Sequence, residues 1–252
     1  MNWLKDKLEK SSSVSGIWLG SGSAVAAEMA AAAGFDWALL DLEHGLFGES
    51  ELLGLFHALA RTGTAPVVRV PSGKSDLIKK ALDYGASGIM VPMISRAEEA
   101  AAFVAALRYP PAGIRGLTRS SRAAEYGGDF PDYFRRANER LTGIVQIETA
   151  QGVEQADAIA ATEGVDVLFI GHSDLSLALG CFEDFSAPAM QAAEARVLAA
   201  CVRHGKKAGL LLRAGMSPAE FRKKGFSLMA LGSDIGCLKQ GFQNMLREGA
   251  TQ

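Results

Sequence analysis

No CxxC pair occurs in this 252-residue sequence, and its three cysteines, Cys181, Cys201 and Cys237, form no even-numbered framework. That usage excludes a disulfide scaffold and reads as reduced thiols in a cytoplasmic protein. Basic residues are not in excess either: 26 Lys and Arg face 28 Asp and Glu, a formal net charge of -2. Without a basic field to gather counterions or lipid head groups, neither nucleic acid nor an anionic membrane is an expected partner, which leaves a small molecule. No stretch approaches the roughly 18 uninterrupted apolar residues of a spanning helix. The opening MNWLKDKLEKSSS is charged and amphipathic and lacks the apolar centre of a signal peptide, so the cytoplasm is the expected compartment.

What is present is a regular alternation. Eight short apolar runs read as strands: 15–20, 37–44, 66–70, 88–94, 143–149, 166–171, 208–213 and 228–233. Between them lie Ala-rich stretches of helical period, most ending at a Gly that can take the left-handed C-terminal position, and CLKQGFQNMLREGA supplies a last helix. Strict β-then-α alternation predicts parallel strands covered by helices, and eight such units in a chain of this length predict a closed (β/α)8 barrel, one domain over 1–252. Residues 109–140 interrupt the rhythm with a segment longer than an ordinary connection before the fifth strand, where a substrate lid or an interface is expected.

Chemistry in such a barrel belongs at the C-terminal ends of the strands. Trp18 stands near the end of the first strand, Asp41, Glu43 and His44 at the second, and Arg69 at the third. Gln146 and Glu148 end the fifth; His172, Ser173 and Asp174 follow the sixth; Arg213 ends the seventh, and Ser233 and Asp234 the eighth. Gln146 and Glu148 are two apart in a strand and so share a face, the opposite one from Val145 and Ile147. An unpartnered buried carboxylate costs several kcal/mol, roughly, so Glu148 must be paired, protonated or metal-bound. Neighbouring parallel strands about 4.8 Å apart allow Glu148 and Asp174 to meet on one hard cation, Mg²⁺ or Mn²⁺ with waters completing the shell. The other reading of Glu148 is a salt bridge to Arg69.

Arg69 is a fixed charge suited to a carboxylate, a carbonyl oxygen or a developing enolate; an ion pair with Asp41 or Glu43 is the structural alternative. His44 is the candidate for proton transfer near neutral pH, whereas His57 and His204 fall in or beside helices of the outer layer. GSGSAV (20–25), with Asp41 about 20 residues on, faintly resembles a dinucleotide fingerprint, but the third glycine is missing and no nucleotide is expected. No lysine ends a strand, so no Schiff-base lysine is expected either.

Together GIWLG (16–20), GFDWALLDLEHG (34–45), APVVRVP (65–71), IMVPM (89–93), RYPPAGIRG (108–116), VQIET (145–149), EGVDVLFIGHSDLS (163–176) and ALGSD (230–234) resemble the HpcH/HpaI aldolase family. These are the metal-dependent pyruvate aldolases of the phosphoenolpyruvate/pyruvate barrel superfamily. The resemblance implies a class II aldolase that cleaves a 4-hydroxy-2-keto acid to pyruvate or hydroxypyruvate and an aldehyde. It implies Glu148 and Asp174 as ligands of Mg²⁺, Mn²⁺ or Co²⁺, Arg69 beside the enolate oxygen, and His44 in a dyad with Asp83 moving the proton of the 4-hydroxyl. Gln146, Trp18 and the backbone around Ser173 and Asp174 would line the keto-acid pocket, with Asp41 and Glu43 orienting Arg69 and His44. It further implies a homo-hexamer, a dimer of trimers with the last helix exchanged between subunits. Two positions depart from the family pattern: Leu42 replaces the usual glycine of the DxEH motif, and His172 replaces the usual proline of the loop before Asp174. The loop RGLTRSSRAAEYG (115–127) resembles the sugar-acid branch of the family, so Arg119 or Arg122 is expected to meet a polar or acidic tail, or else to pack subunits. Rival readings are a citrate-lyase-like enzyme acting on a CoA thioester and a non-catalytic keto-acid-binding barrel.

Overall fold

The computed structural model describes residues 2–213 and 215–249. Its strands are β1 (Val14–Leu19), β2 (Trp37–Asp41), β3 (Ala65–Arg69), β4 (Gly88–Val91), β5 (Thr142–Ile147), β6 (Val167–Ile170), β7 (Lys207–Leu211) and β8 (Phe226–Ser233). All pair in parallel with their chain neighbours, and β8 pairs with β1 to close the ring. The helices are α1 (Leu4–Lys10), α2 (Ala24–Ala32), α3 (Glu49–Leu59), α4 (Ser75–Tyr84), α5 (Ala97–Leu107) and α6 (Phe130–Arg140), followed by α7 (Ala150–Glu154), α8 (Ala156–Ala161), α9 (His172–Ala178), α10 (Pro188–Arg203), α11 (Pro218–Lys224) and α12 (Asp234–Gly249). Among the described residues no helix is long and apolar enough to cross a membrane.

The strand period of two sorts side chains into two cores. Trp37, Leu39, Val67, Met90, Ile144, Val167, Phe169 and Leu228 fill the barrel, while Ala38, Leu40, Val68, Val145 and Leu168 face the helices. Because each strand is buried on both faces, its sequence is apolar throughout rather than alternating. The same parity carries into the polar residues: Asp41 shares the inward face with Leu39, Arg69 with Val67, and Gln146 and Glu148 with Ile144. Helix α1 joins the interior core through Leu4 and Leu8, burial that contributes about 1.5–3 kcal/mol per side chain. Leu42 packs outward, against the layer between strands and helices.

The segment 109–140 forms no lid over the strand C-termini within this chain. Its 3₁₀ turn (Arg122–Gly127) and α6 lie against the helical layer. Arg140 of α6 pairs with Asp6 and Glu9 of α1, and Tyr133 stacks on Trp3. Arg115, fully buried, lies 4.4 Å from the centre of the Tyr109 ring and donates to Asp83 of α4 at 2.9 Å.

Helices α9, α10 and α11 are locked by a buried polar bridge. One Glu194 oxygen meets His172 Nε2 at 2.8 Å and the other accepts from Lys224 Nζ at 3.0 Å. Burial opposes charge on Glu194, but these two partners hold its carboxyl below the usual value of 4.5. A depressed folded-state pKa means that the stabilisation is complete above that value and fades as the pH falls through the folded one. Glu194→Gln is expected to lower the unfolding free energy at pH 7 by about 3 kcal/mol, the scale of breaking a buried pair. In urea titrations the gap to wild type narrows on acidification below pH 4.5; a gap independent of pH would refute the assignment.

Candidate active site

Asp41 is the hub of the barrel mouth. Its Oδ1 accepts from Arg69 Nε at 2.8 Å and from the backbone amides of Glu43 and His44 at 3.1 and 3.3 Å. Its Oδ2 accepts from Arg69 Nη2 at 2.6 Å and from Trp18 Nε1 at 2.9 Å. β2 and β3 bring the pair into register directly, Asp41 opposite Arg69. Burial works against the Asp41 charge, yet the Arg69 and Trp18 donors hold its carboxyl below the ordinary range. Glu43 takes the remaining Arg69 nitrogen, Nη1, at 2.8 Å, and the guanidinium lies 4.8 Å from the centre of the Trp18 ring. Arg69 is therefore fixed in position by contacts on three sides. The Asp41 and Glu43 pairing foreseen as the structural alternative is present, and it does not take Arg69 out of the mouth, where it still lines the cavity.

Across the barrel, Glu148 is 4% exposed and, among the described residues, has no cationic partner within salt-bridge distance. Its Oε1 accepts from the backbone N–H of Met93 at 2.7 Å and its Oε2 from Gln146 Nε2 at 2.6 Å. Met93 reaches it from a left-handed turn after β4, with φ 59°. Burial pushes the Glu148 carboxyl up to about 7; the Met93 amide resists, while the charges of Asp174 and Glu43 add to the rise. Burial likewise raises Glu43. Gly171 lets the end of β6 pass against this pair, since a Cβ there would collide with the Glu148 carboxylate and the Gln146 amide.

Trp18, His44, Arg69, Gln146, Asp174 and Arg213 line a mouth cavity of about 160 Å³, with Ser173 at its edge. His44 is largely exposed there, its Nε2 3.9 Å from Glu43. Asp83 is not brought to His44 within this chain: its carboxylate is taken by Arg115, on the far side of α4. His172 contributes to the cavity wall, but its ring nitrogen bonds Glu194 behind the site. Arg122 donates to the carbonyls of Tyr84 and Phe56, and Arg119 lies over Phe130, so neither reaches the mouth of its own chain. Arg122 lines instead a larger cavity, about 490 Å³, with Phe56, His57, Arg61 and Pro66. That cavity opens beside the start of β3, away from the strand ends that carry the carboxylates. The GSGSAV loop is not a phosphate cradle: the amides of Gly20 and Ser21 both donate to Asp234, at 2.9 and 3.1 Å.

The donor set suits a hard divalent cation. The charges of Asp174 and Glu43 act on Glu148, and among the described residues the buried Gln146 Oε1 atom has no hydrogen-bond partner. Among the described residues no group of three or more His, Cys, Asp or Glu side chains is placed to hold a metal ion by itself. An open site with few protein oxygens is the pattern of an ion that keeps water or substrate in its shell. The hub predicts its own test. Asp41→Ala leaves Arg69 buried with only Glu43, and calorimetry is expected to show a loss of about 3–5 kcal/mol; a loss under 1 kcal/mol would remove Asp41 from this role.

Comparison with known proteins agrees with this geometry. The HpcH/HpaI aldolase/citrate lyase family model matches residues 14–240. The 5-keto-4-deoxy-D-glucarate aldolases of Salmonella arizonae and Salmonella paratyphi A are each 41% identical over 230 residues, 91% of this chain and 90% of theirs. An HpcH/HpaI aldolase/citrate lyase family protein from Burkholderia cenocepacia superposes with a TM-score of 0.93 at 36% identity, covering 99% of this chain and all of the other. The citrate synthase SbnG superposes with a TM-score of 0.89 at 29% identity, covering 100% and 98% of the two chains. With a closed eightfold barrel, carboxylates and an arginine at its mouth, and these relatives, the chain belongs to the HpcH/HpaI aldolase/citrate lyase family and is a carbon–carbon lyase.

Proposed function

We propose that this mouth catalyses the metal-dependent, reversible aldol cleavage of a 4-hydroxy-2-keto acid to pyruvate, or hydroxypyruvate, and an aldehyde. The observation that carries the reading is the buried Glu148, raised by burial and by neighbouring carboxylates; the Arg69 charge offsets this only in part, and among the described residues no cationic side chain is within salt-bridge distance. Glu148 and Asp174 would hold a divalent ion, Mg²⁺ or Mn²⁺, with Co²⁺ as a further candidate. When bound, such an ion supplies Lewis acidity toward the keto and carboxylate oxygens of the substrate.

The protein's own groups fit the rest of the reaction. Breaking the C3–C4 bond leaves an electron pair on C3 that spreads onto the keto oxygen as an enolate, and the Arg69 guanidinium is aimed to balance that charge. Asp41 and Glu43 keep it aimed, so no reorganisation is needed as charge develops. Gln146 Oε1 offers a free acceptor to a hydroxyl of the substrate or to a water beside it. His44, exposed at the rim, is suited to take the proton of the 4-hydroxyl through water and return it in the synthetic direction. Trp18 and Phe169, with ring centres 5.8 Å apart, wall the apolar side of the pocket. The mouth cavity, about 160 Å³, has room for a three-carbon donor. The aldolase relatives support the same choice.

A homo-oligomer with α12 exchanged between subunits belongs to this proposal. Its support is an exposed apolar stripe on α12: Ile235, Leu238, Phe242, Met245 and Leu246, 41% to 76% exposed at helical spacing. Monomers rarely leave such a patch in water. A hexameric dimer of trimers in the cytoplasm is the expected state.

Two experiments test the proposal. In D₂O with Mg²⁺ or Mn²⁺, NMR is expected to show exchange of the pyruvate methyl protons, abolished by EDTA and reduced more than about 100-fold in Glu148→Ala. Absence of exchange with every metal, for pyruvate and hydroxypyruvate alike, would sink the donor assignment. In sedimentation velocity, Phe242→Glu is expected to shift the protein from the hexamer to smaller species; a monomeric wild type would refute the assembly.

A further inference from the structure

The carboxylates of the mouth are held unequally. Asp41 is fixed by Arg69, and Glu148 by the Met93 amide and Gln146. Among the described residues the Asp174 carboxylate receives no hydrogen bond and forms no ion pair, although its charge reaches Glu148 and Glu43. Its position is therefore the position of its backbone, the first turn of α9. That turn has little of the usual anchoring: α9 is seven residues long, and Gly171 before it supplies no side-chain cap.

His172, two residues before Asp174, fixes the turn instead. Its side chain is 1% exposed, and its Nε2 lies 2.8 Å from one Glu194 oxygen on α10. The ring stands edge-on to Phe185 and Phe221, with centres 5.9 and 6.4 Å away and both angles 84°. The second Glu194 oxygen accepts from Lys224 Nζ at 3.0 Å, and that ammonium lies 4.7 Å from the centre of the Phe221 ring. Imidazole, carboxylate, ammonium and phenyl ring thus close a circuit that joins the start of α9 to α10 and to the end of α11. A buried imidazole bonded at one nitrogen and packed by two aromatic rings is held in one orientation, and the helix start that carries it is held with it. His172 stands where the family pattern has a proline, so the circuit is a property of this chain.

We infer that Glu194, together with Lys224, acts through His172 as a positioning residue for Asp174, so that the affinity of the mouth for a divalent ion is set in part from α10 and α11, behind the barrel wall. The inference rests on the metal reading proposed above and adds to it two residues that do not line the mouth cavity. Partners one step behind a metal ligand commonly govern how tightly the ion is held, because they decide where the ligand's oxygen or nitrogen points before the ion arrives.

The test is calorimetric titration of the full chain with Mn²⁺ at pH 7. Glu194→Gln keeps the shape of the side chain and is expected to weaken Mn²⁺ binding about 10-fold, the lower end of the range for such partners. Lys224→Met, at a half-buried site, is expected to weaken it less, and Lys224→Arg to keep the wild-type affinity; this pair carries the test even if Glu194→Gln does not fold. Leu8→Ala, which opens the interior core beneath α1, is the control for instability: it is expected to lower the urea midpoint and leave Mn²⁺ affinity unchanged. Saturating Mn²⁺ is expected to return pyruvate proton exchange in Glu194→Gln close to the wild-type rate, so that the defect lies in the metal requirement rather than in kcat. Wild-type Mn²⁺ affinity in Glu194→Gln and Lys224→Met, with binding lost in Asp174→Ala, overturns the inference and leaves the metal site standing, and so does an equal weakening in Leu8→Ala. A wild type that binds no Mn²⁺, or whose binding survives Asp174→Ala, overturns the metal reading first and the inference with it.

Discussion

The mouth of this barrel depends on one carboxylate, Asp41, which accepts from both sides of a guanidinium, an indole and two backbone amides. A buried arginine is tolerated only when its charge is met with good geometry, and the bidentate pair with Asp41 meets it. Trp18, Arg69 and the turn bearing Glu43 and His44 are therefore placed together by a single acceptor. Three consecutive strands are tied at their C-terminal ends, and the reactive groups inherit the rigidity of the sheet.

Opposite that hub the charge balance reverses. Glu148 feels the charges of Asp174 and Glu43 and, among the described residues, has no lysine or arginine in contact; an amide and a glutamine satisfy its oxygens without neutralising them. Asp41 and Glu148 are both buried inward-facing carboxylates, yet burial and partners push their acidities in opposite directions. Such divergence is typical of a site with separate tasks: one carboxylate is kept charged to hold an arginine, while burial and like charges oppose the charge of the other. The absence of a side chain at Gly171 is what lets β6 close on Glu148 at all.

The two departures from the family pattern take different routes. Leu42 alternates outward from Asp41 and packs in the helical layer, so its bulk is spent behind the strand. His172 stays at the mouth but turns its ring into a bridge that joins α9, α10 and α11 and supports Phe185. His172, one residue from Ser173, thereby backs the Phe185 ring over which Arg213 lies.

The period of two, the glycine-punctuated helices and the count of eight made the barrel legible from the chain, because parity in a strand dictates which side chains face inward whatever they touch. That logic already put Asp41, Arg69, Gln146 and Glu148 on one face and one rim. Length alone could not choose between lid and interface for segment 109–140; within this chain Arg115, Tyr133 and Arg140 tie it to α4 and α1. Asp83 was not legible as the partner of Arg115, 32 positions away, since ion pairing across elements is a matter of distance in space. Nor could sequence separate the two arginines of the mouth, which have the same chemistry. Residue type and parity were determined by the sequence itself; which guanidinium is held by carboxylates and which lies over an aromatic ring was decided only when the strands closed and Asp41 came within reach of Arg69 but not of Arg213.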